Sequence, residues 1–234
     1  MYSFDSRVRY SESDENGTLS LLGMVDYLQD CSTFQSEDLG VGLAHLHAHH
    51  LGWFIAFWQI EIERLPRFTD PIVVSTWAYE FTNLYGLRNF TIVDADGSPC
   101  VRADSRWFLF DSEQQRPIRL PEAETAPYLT DAEPRLDMPA LERKIDVAGP
   151  GTPMRAIVVG EQHLDTNHHM NNAQYVKLAG DALPEPFTSG RLSVWYRTAA
   201  QLGDTVVPIV HVVDLTDTEG NSFAVVRFEN ATRS

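Results

Sequence analysis

Val8-Arg-Tyr10-Ser-Glu-Ser-Asp14-Glu-Asn16-Gly-Thr18 aligns without gaps on Val159-Gly-Glu-Gln-His-Leu-Asp165-Thr-Asn167-His-His169, and both copies keep an Asp-x-Asn pair. Two further matches follow in the same order. Phe68-Thr-Asp70-Pro-Ile72 falls on Leu202-Gly-Asp204-Thr-Val206, and Asp94-Ala-Asp96-Gly97 on Asp217-Thr-Glu219-Gly220. Each match is short, but their preserved order marks an internal repeat. The chain therefore reads as two similar halves sharing one functional site. Thr18 stands where His169 stands, so only the second half carries an imidazole in this loop.

The second copy runs on into Met170-Asn171-Asn172-Ala-Gln-Tyr175. Met154 to Val159 is apolar and β-branched, whereas Ala173 to Ala179 has apolar residues three and four apart, which predicts a strand-to-helix crossing. Asn171 or Asn172 suits the N-cap, since its side-chain oxygen can accept from a free helix N–H. His169 falls just outside the positive end of that helix, placed to take a proton. Free main-chain N–H groups nearby could hold a developing oxyanion. Asp and Asn also turn and cap chains with no chemistry attached. Asp165, Asn167 and Asn171 gathered around His169 point instead to an active site.

In the first half, Leu21, Val25, Leu28 and Leu39 fall near one helical face between Ser20, an N-cap residue, and Gly40, a stop. Strands are predicted at Phe54 to Ile62, Ile72 to Trp77, Leu87 to Val93 and Val101 to Phe110, with a turn at Asp96-Gly97. The second half repeats them at Leu192 to Arg197, Val206 to Val213 and Phe223 to Phe228. Between the halves, Pro121 to Pro153 holds four further prolines (127, 134, 139 and 150) and little periodicity, which predicts a linker over the surface. The expected division is residues 1–125, a linker at 126–152, and 153–234.

The 234 residues, 43% hydrophobic, could form two small domains or one fused pair. The longest apolar stretch, around Trp53 to Trp58, is far too short to span a bilayer, so no membrane association and a cytoplasmic location are expected. A formal charge of −15 disfavours nucleic acid. Cys31 and Cys100 show neither disulfide nor metal spacing and read as buried thiols. His45 and His49 would share a helical face as a metal pair, but no carboxylate accompanies them in register, so His45 to His50 reads as a surface loop. The five tryptophans are expected in the core.

Asp165-x-Asn167-x-His169-x-Asn171-Asn172-x-x-Tyr175 resembles the active-site motif of the acyl-acyl carrier protein thioesterases, especially the bacterial members. The resemblance extends to Tyr10 to Leu19, Tyr27 to Asp30, Ser36 to Gly42, Trp53 to Glu63, and Ser105 to Asp111 with Arg116 to Arg119. It implies an α+β double hot-dog fold, a fused pseudo-dimer in which two antiparallel sheets each wrap a central helix. It also implies hydrolysis of fatty acyl thioesters with release of free fatty acid. Asp165, Asn167 and His169 carry over as catalytic residues, with no metal and no organic cofactor. In that mechanism His169 takes a proton from the attacking water, Asn167 orients the water or the carbonyl, and Asp165 holds these groups or helps activate the water.

The implied partner is an acyl carrier protein bearing an acyl chain, met by a monomer or homodimer. Carrier proteins are acidic, so docking would need a local basic patch, for which Arg64, Arg67, Arg116, Arg119, Arg135 and Arg143 are candidates. One family feature is missing. The family has a glutamate three residues after the tyrosine of a Tyr-Arg pair, where this chain has Ala199; plant members follow it with a cysteine, here Ala200. Three readings follow: a carrier-protein thioesterase, a thioesterase acting on coenzyme A esters, and an acyl-binding protein that does not cleave.

Overall fold

Tyr2–Arg7 alternates half-buried and exposed side chains, as a strand covered on one face must, and forms β1 of the computed structural model, which describes residues 1–147, 151–210 and 213–231. The predicted helix follows as α1 (Leu21–Asp38). Ser20 Oγ caps it by accepting from Gly23 N at 3.0 Å, a bond worth about 1 kcal/mol. Gly40, at φ +75°, turns the chain away. Then come α2 (Leu43–Ala48), β2 (Leu51–Ile62), β3 (Pro71–Phe81), β4 (Gly86–Asp94), β5 (Pro99–Asp111), β6 (Arg116–Ile118) and α3 (Glu122–Thr125). The second half contributes β7 (Thr152–Pro153), β8 (Ile157–Val158), α4 (Asn172–Asp181), β9 (Gly190–Tyr196), β10 (Thr205–Val210), β11 (Val213–Thr216) and β12 (Ser222–Asn230).

Among the described residues the strands form one 12-stranded sheet in the order β1-β3-β4-β5-β2-β9-β12-β11-β10-β7, with β6 beside β5 and β8 beside β10. The two half-sheets join where β2 pairs antiparallel with β9, from Phe57 opposite Trp195 to Ile62 opposite Gly190. Helices α1 and α4 lie antiparallel against each other: Leu21 packs at Gly180, while Gln29 bonds Asn171 and Asn172. The core lies between this pair and the sheet. Met24, Leu28 and Cys31 point into it from α1, and Cys31 Sγ meets the Val74 carbonyl at 3.5 Å. Trp58, fully buried at the seam, packs on Phe90 at 4.9 Å between ring centroids. Among the described residues no helix is long and apolar enough to cross a membrane.

The repeat is present atom for atom. Asp14 Oδ1 accepts from Asn16 N (2.9 Å) and Thr18 N (2.8 Å), and Asp165 Oδ1 accepts from Asn167 N (2.8 Å) and His169 N (3.2 Å). Left-handed backbone recurs at matched positions: Gly17 (φ +71°) and His168 (φ +60°), then Thr69 (φ +76°) and Gly203 (φ +89°). A β-branched residue is strained there, and its partner in the other half shows that glycine fits. Thr69→Gly is therefore expected to stabilise the protein by about 0.5–1 kcal/mol, net of the glycine's entropy. A lower melting temperature would contradict this.

Several expectations change in the folded molecule. Met154 to Val159 is not a continuous strand; within it only the two-residue β8 pairs with β10, and β7, which also pairs with β10, precedes it. The predicted strand Val206 to Val213 becomes β10 and the separate β11, with 211–212 outside the described residues. His45 to Ala48 belongs to α2 rather than a loop, and the carboxylate absent in register arrives from elsewhere: Glu124 of α3 meets His45 Nε2 at 3.0 Å.

The proline-rich segment also does more than cross the surface. It covers the sheet face opposite α1. Trp77 Nε1 donates to the Pro134 carbonyl (3.0 Å), Gln59 Nε2 to the Pro139 carbonyl (2.9 Å), and Leu136 N to Asn89 Oδ1 (2.8 Å). Met138 and Ile145 are buried beneath it. Polar side chains on a strand face need partners once water is excluded, and the linker backbone supplies them.

Candidate active site

An open cavity of about 810 Å³ is lined by both halves. The second half contributes Asp165 to Asn172, Tyr175 and the stretch Tyr196 to Ala199; the first contributes the exposed-side face of α1 and the ends of β2, β4 and β5. The structure thus brings Asp165, Asn167 and His169 to one wall, opposite side chains more than a hundred residues away in sequence.

The motif loop is held by its own main chain. Asp165 N donates to the His169 carbonyl (2.8 Å), Met170 N to the Ala200 carbonyl (2.8 Å) and Asn171 N to the His163 carbonyl (2.8 Å). Asn171 is the N-cap of α4, its Oδ1 accepting from Ala173 N at 2.8 Å. Every main-chain N–H from Asn167 to Asn171 therefore has an acceptor. The turn and the cap thus engage these N–H groups, whereas Thr166 N and Asn172 N on either side have no acceptor among the described residues. The exposed Asn167 side chain makes no hydrogen bond within the described residues, which leaves its amide available to a ligand.

Asp165 is half-buried, and its Oδ1 closes the turn just as Asp14 closes the matching turn in the half that lacks the histidine. His169 sits differently. Its ring lies 5.8 Å from that of Phe54, and its buried Nδ1 has no partner among the described residues. A buried ring nitrogen with no protein partner is costly unless a ligand or water meets it.

Sequence reading gave no role to the side chains that brace this wall, Tyr175 of the motif among them. Gln29 of α1 donates from Nε2 to Asn171 Oδ1 (3.1 Å) and accepts at Oε1 from Asn172 Nδ2 (2.8 Å), clamping the start of α4 to the other half. Tyr175 OH accepts from Ala200 N (2.8 Å), and Tyr196 OH donates to the Asn172 carbonyl (2.9 Å). Burial pushes the Tyr175 phenol up to about 12, so it stays protonated. Ala199 is exposed at the cavity edge, leaving the glutamate position empty of any carboxylate. The carboxylates that do face the cavity from across it are Asp26 and Asp30 of α1. Burial, reinforced by Asp30 and Glu12, raises Asp26 to about 6.

The six candidate arginines do not form one patch. Arg64 pairs with Asp94 and bonds the Cys100 carbonyl, whereas Arg116 pairs in register with Asp111. Those points are eleven residues apart along β5, roughly 35 Å. Arg135 is committed to buried Asp104. Arg116 and Arg119 are exposed near the cavity end of β5, where Arg197 also lines the opening. Among the described residues no group of three His, Cys, Asp or Glu converges as a metal site.

Comparison with known proteins agrees with this layout. The acyl-ACP thioesterase N-terminal domain model matches residues 1–128, and the C-terminal domain model matches residues 153–230. The chain is 25% identical to oleoyl-acyl carrier protein thioesterase 2 of Arabidopsis thaliana, covering 95% of this chain and 68% of that one. It is 25% identical to the chloroplastic FATB3 acyl-acyl carrier protein hydrolase of Cuphea viscosissima, over 72% of this chain but only 43% of that protein. The chain thus spans about half the length of the Cuphea relatives. Its fold matches an acyl-ACP thioesterase from Bacteroides thetaiotaomicron (TM-score 0.82, 20% identity, covering 96% of this chain and 95% of that one). It also matches the 12:0-ACP thioesterase from Umbellularia californica (TM-score 0.82, 19% identity, 97% and 96% covered). With both domain models matched in order across nearly its whole length, this chain belongs to the acyl-ACP thioesterase family.

Proposed function

We propose that this protein hydrolyses fatty acyl thioesters carried on acyl carrier protein, releasing free fatty acid, with 1–125 and 153–234 acting as halves of one catalytic unit. The observation that carries this reading is His169, which lines a cavity shared by both halves and whose ring makes no hydrogen bond among the described residues. Water adds to the thioester carbonyl as His169 takes its proton, and the tetrahedral intermediate collapses with the C–S bond breaking. His169 returns the proton to the departing thiolate. Asn167 polarises the carbonyl oxygen through its side-chain amide, which makes no hydrogen bond among the described residues. Asp165 acts through the turn, holding His169 in place.

The test is release of free acid from matched carrier-protein and coenzyme A esters with a chelator present, at low and high salt. Hydrolysis should persist without metal and favour the carrier at low salt. That preference should shrink as salt screens Arg116, Arg119 and Arg197, because exposed charges are screened over about 8 Å at physiological ionic strength. Equal specificity constants at all salt concentrations would favour a coenzyme A substrate. Binding without any release would favour an acyl-binding protein.

Two variants separate the roles. In Asp165→Asn the amide oxygen can still accept from Asn167 N and His169 N, so turnover should stay within about tenfold of wild type, whereas Asp165→Ala should lose more together with melting temperature. A large loss in Asp165→Asn with an unchanged melting temperature would instead assign the carboxylate to the chemistry. Ala199→Glu places a carboxylate beside the motif, because Met170 N is bonded to the neighbouring Ala200 carbonyl and Ala199 is exposed enough to admit the longer side chain. Its single-turnover rate should exceed that of wild type; a fall with the fold intact would show that this site works without the family's glutamate.

A further inference from the structure

Arg88 of β4 lines the same cavity yet is only 7% exposed. A guanidinium carries five N–H donors and no acceptor. Within the described residues Arg88 makes one hydrogen bond, from Nη1 to Thr76 Oγ1 at 3.2 Å, and no carboxylate pairs with it. Its guanidinium also lies over two ring faces, Tyr128 at 5.1 Å and Phe90 at 5.9 Å. Leaving a buried cation without counter-charge and with idle donors is costly. Burial accordingly pushes the guanidinium below its ordinary pKa.

The surroundings are polar as well. Ser36 Oγ and Tyr128 OH, both in the cavity wall, lie 2.8 Å apart, and Thr33 joins them there. A pocket for plain hydrocarbon is lined mainly by apolar groups, with a few polar ones where a ligand's polar atoms must sit. Arg88 is opposite Ser105, and Ser105 is opposite Trp58. This places β4 two strands, about 10 Å, from β2, whose Phe54 touches His169.

We propose that Arg88 binds an acceptor oxygen borne on the acyl chain away from the thioester, so that oxygenated chains (hydroxy, oxo or terminal carboxy) are preferred to plain hydrocarbon chains. This assignment rests on the thioesterase reading above.

The experiment compares carrier-protein esters of equal chain length, unsubstituted or bearing a hydroxyl, an oxo group or a terminal carboxylate. They are assayed with the wild type and with Arg88→Met, and the free acids are tested in parallel for thermal stabilisation of each protein. In the wild type the best oxygenated ester should exceed the plain one by about tenfold or more in kcat/KM, because a buried donor left unmatched penalises the plain chain. In Arg88→Met that ratio should fall to within about twofold of parity. The three substituents identify which oxygen is read. Plain esters cleaved as well as oxygenated ones by the wild type would overturn the proposal, whether or not Arg88→Met folds. If no ester is cleaved, the thioesterase reading fails, and the melting data still decide the oxygen site: stronger stabilisation by oxygenated acids, lost in Arg88→Met, supports it, and equal stabilisation refutes it.

Discussion

His169→Ala is expected to lower turnover by about 10²–10⁴-fold, the range for removal of a general acid or base. Folding and acyl binding should change little. The residue is half-buried, its Nδ1 bonds nothing among the described residues, and the loop that carries it is fastened through main-chain groups that alanine retains. His169→Gln should be equally impaired, since an amide can hydrogen-bond but cannot accept the water's proton. Single-turnover rates and melting curves for both variants read this out. Residual activity within about tenfold of wild type in both would move the base elsewhere, and Asp26, raised to about 6 by burial in the facing helix, would be next in line.

Asp104→Ala should have the largest effect on stability, about 3 kcal/mol, at the low end of the range for breaking a buried ion pair because Arg135 is about one-third exposed and can rehydrate. Asp104 is fully buried on the linker-covered face. It accepts from Tyr79 OH and Arg135 Nε, both at 3.0 Å, and from Ser105 N at 2.9 Å. Burial raises its carboxyl above the ordinary value, whereas the pairing raises Arg135. Enclosure thus outweighs the contacts for the acid, while the more exposed arginine gains from the pair. Arg135 also donates to the Met138 and Pro139 carbonyls, so losing Asp104 loosens the linker from the sheet. A denaturant midpoint unchanged from wild type would show that the linker is only draped over the surface.

The two-half plan was legible because it is written in local chemistry. An Asp that bonds two main-chain N–H groups, a left-handed residue before the strand-like return, and a capping Ser or Asn need only their own few residues. Ser20 is the cap expected from the sequence, and Asn171 is one of the two it offered for the second helix. The short Asp-x-Asn-x-His motif was legible for the same reason, as was the repeat that leaves Thr18 opposite His169. The resemblance to a known family then supplied a fold and an activity that local chemistry could not.

What the sequence left open depends on groups that meet only after folding. Gln29 reaches Asn171 and Asn172 across more than 140 residues, Glu124 reaches His45, and Arg135 reaches Asp104, pairings with no periodicity or spacing to reveal them. The linker's prolines read as exposed, but their carbonyls were needed by buried Trp77 and Gln59. Of the loop N–H groups that seemed free for an oxyanion, Met170 N is engaged by the Ala200 carbonyl, which folding alone brings to it. Local sequence fixes which main-chain turns form, because their partners lie within a few residues. Burial decides which polar groups must find distant partners, and burial is a property of the whole folded chain.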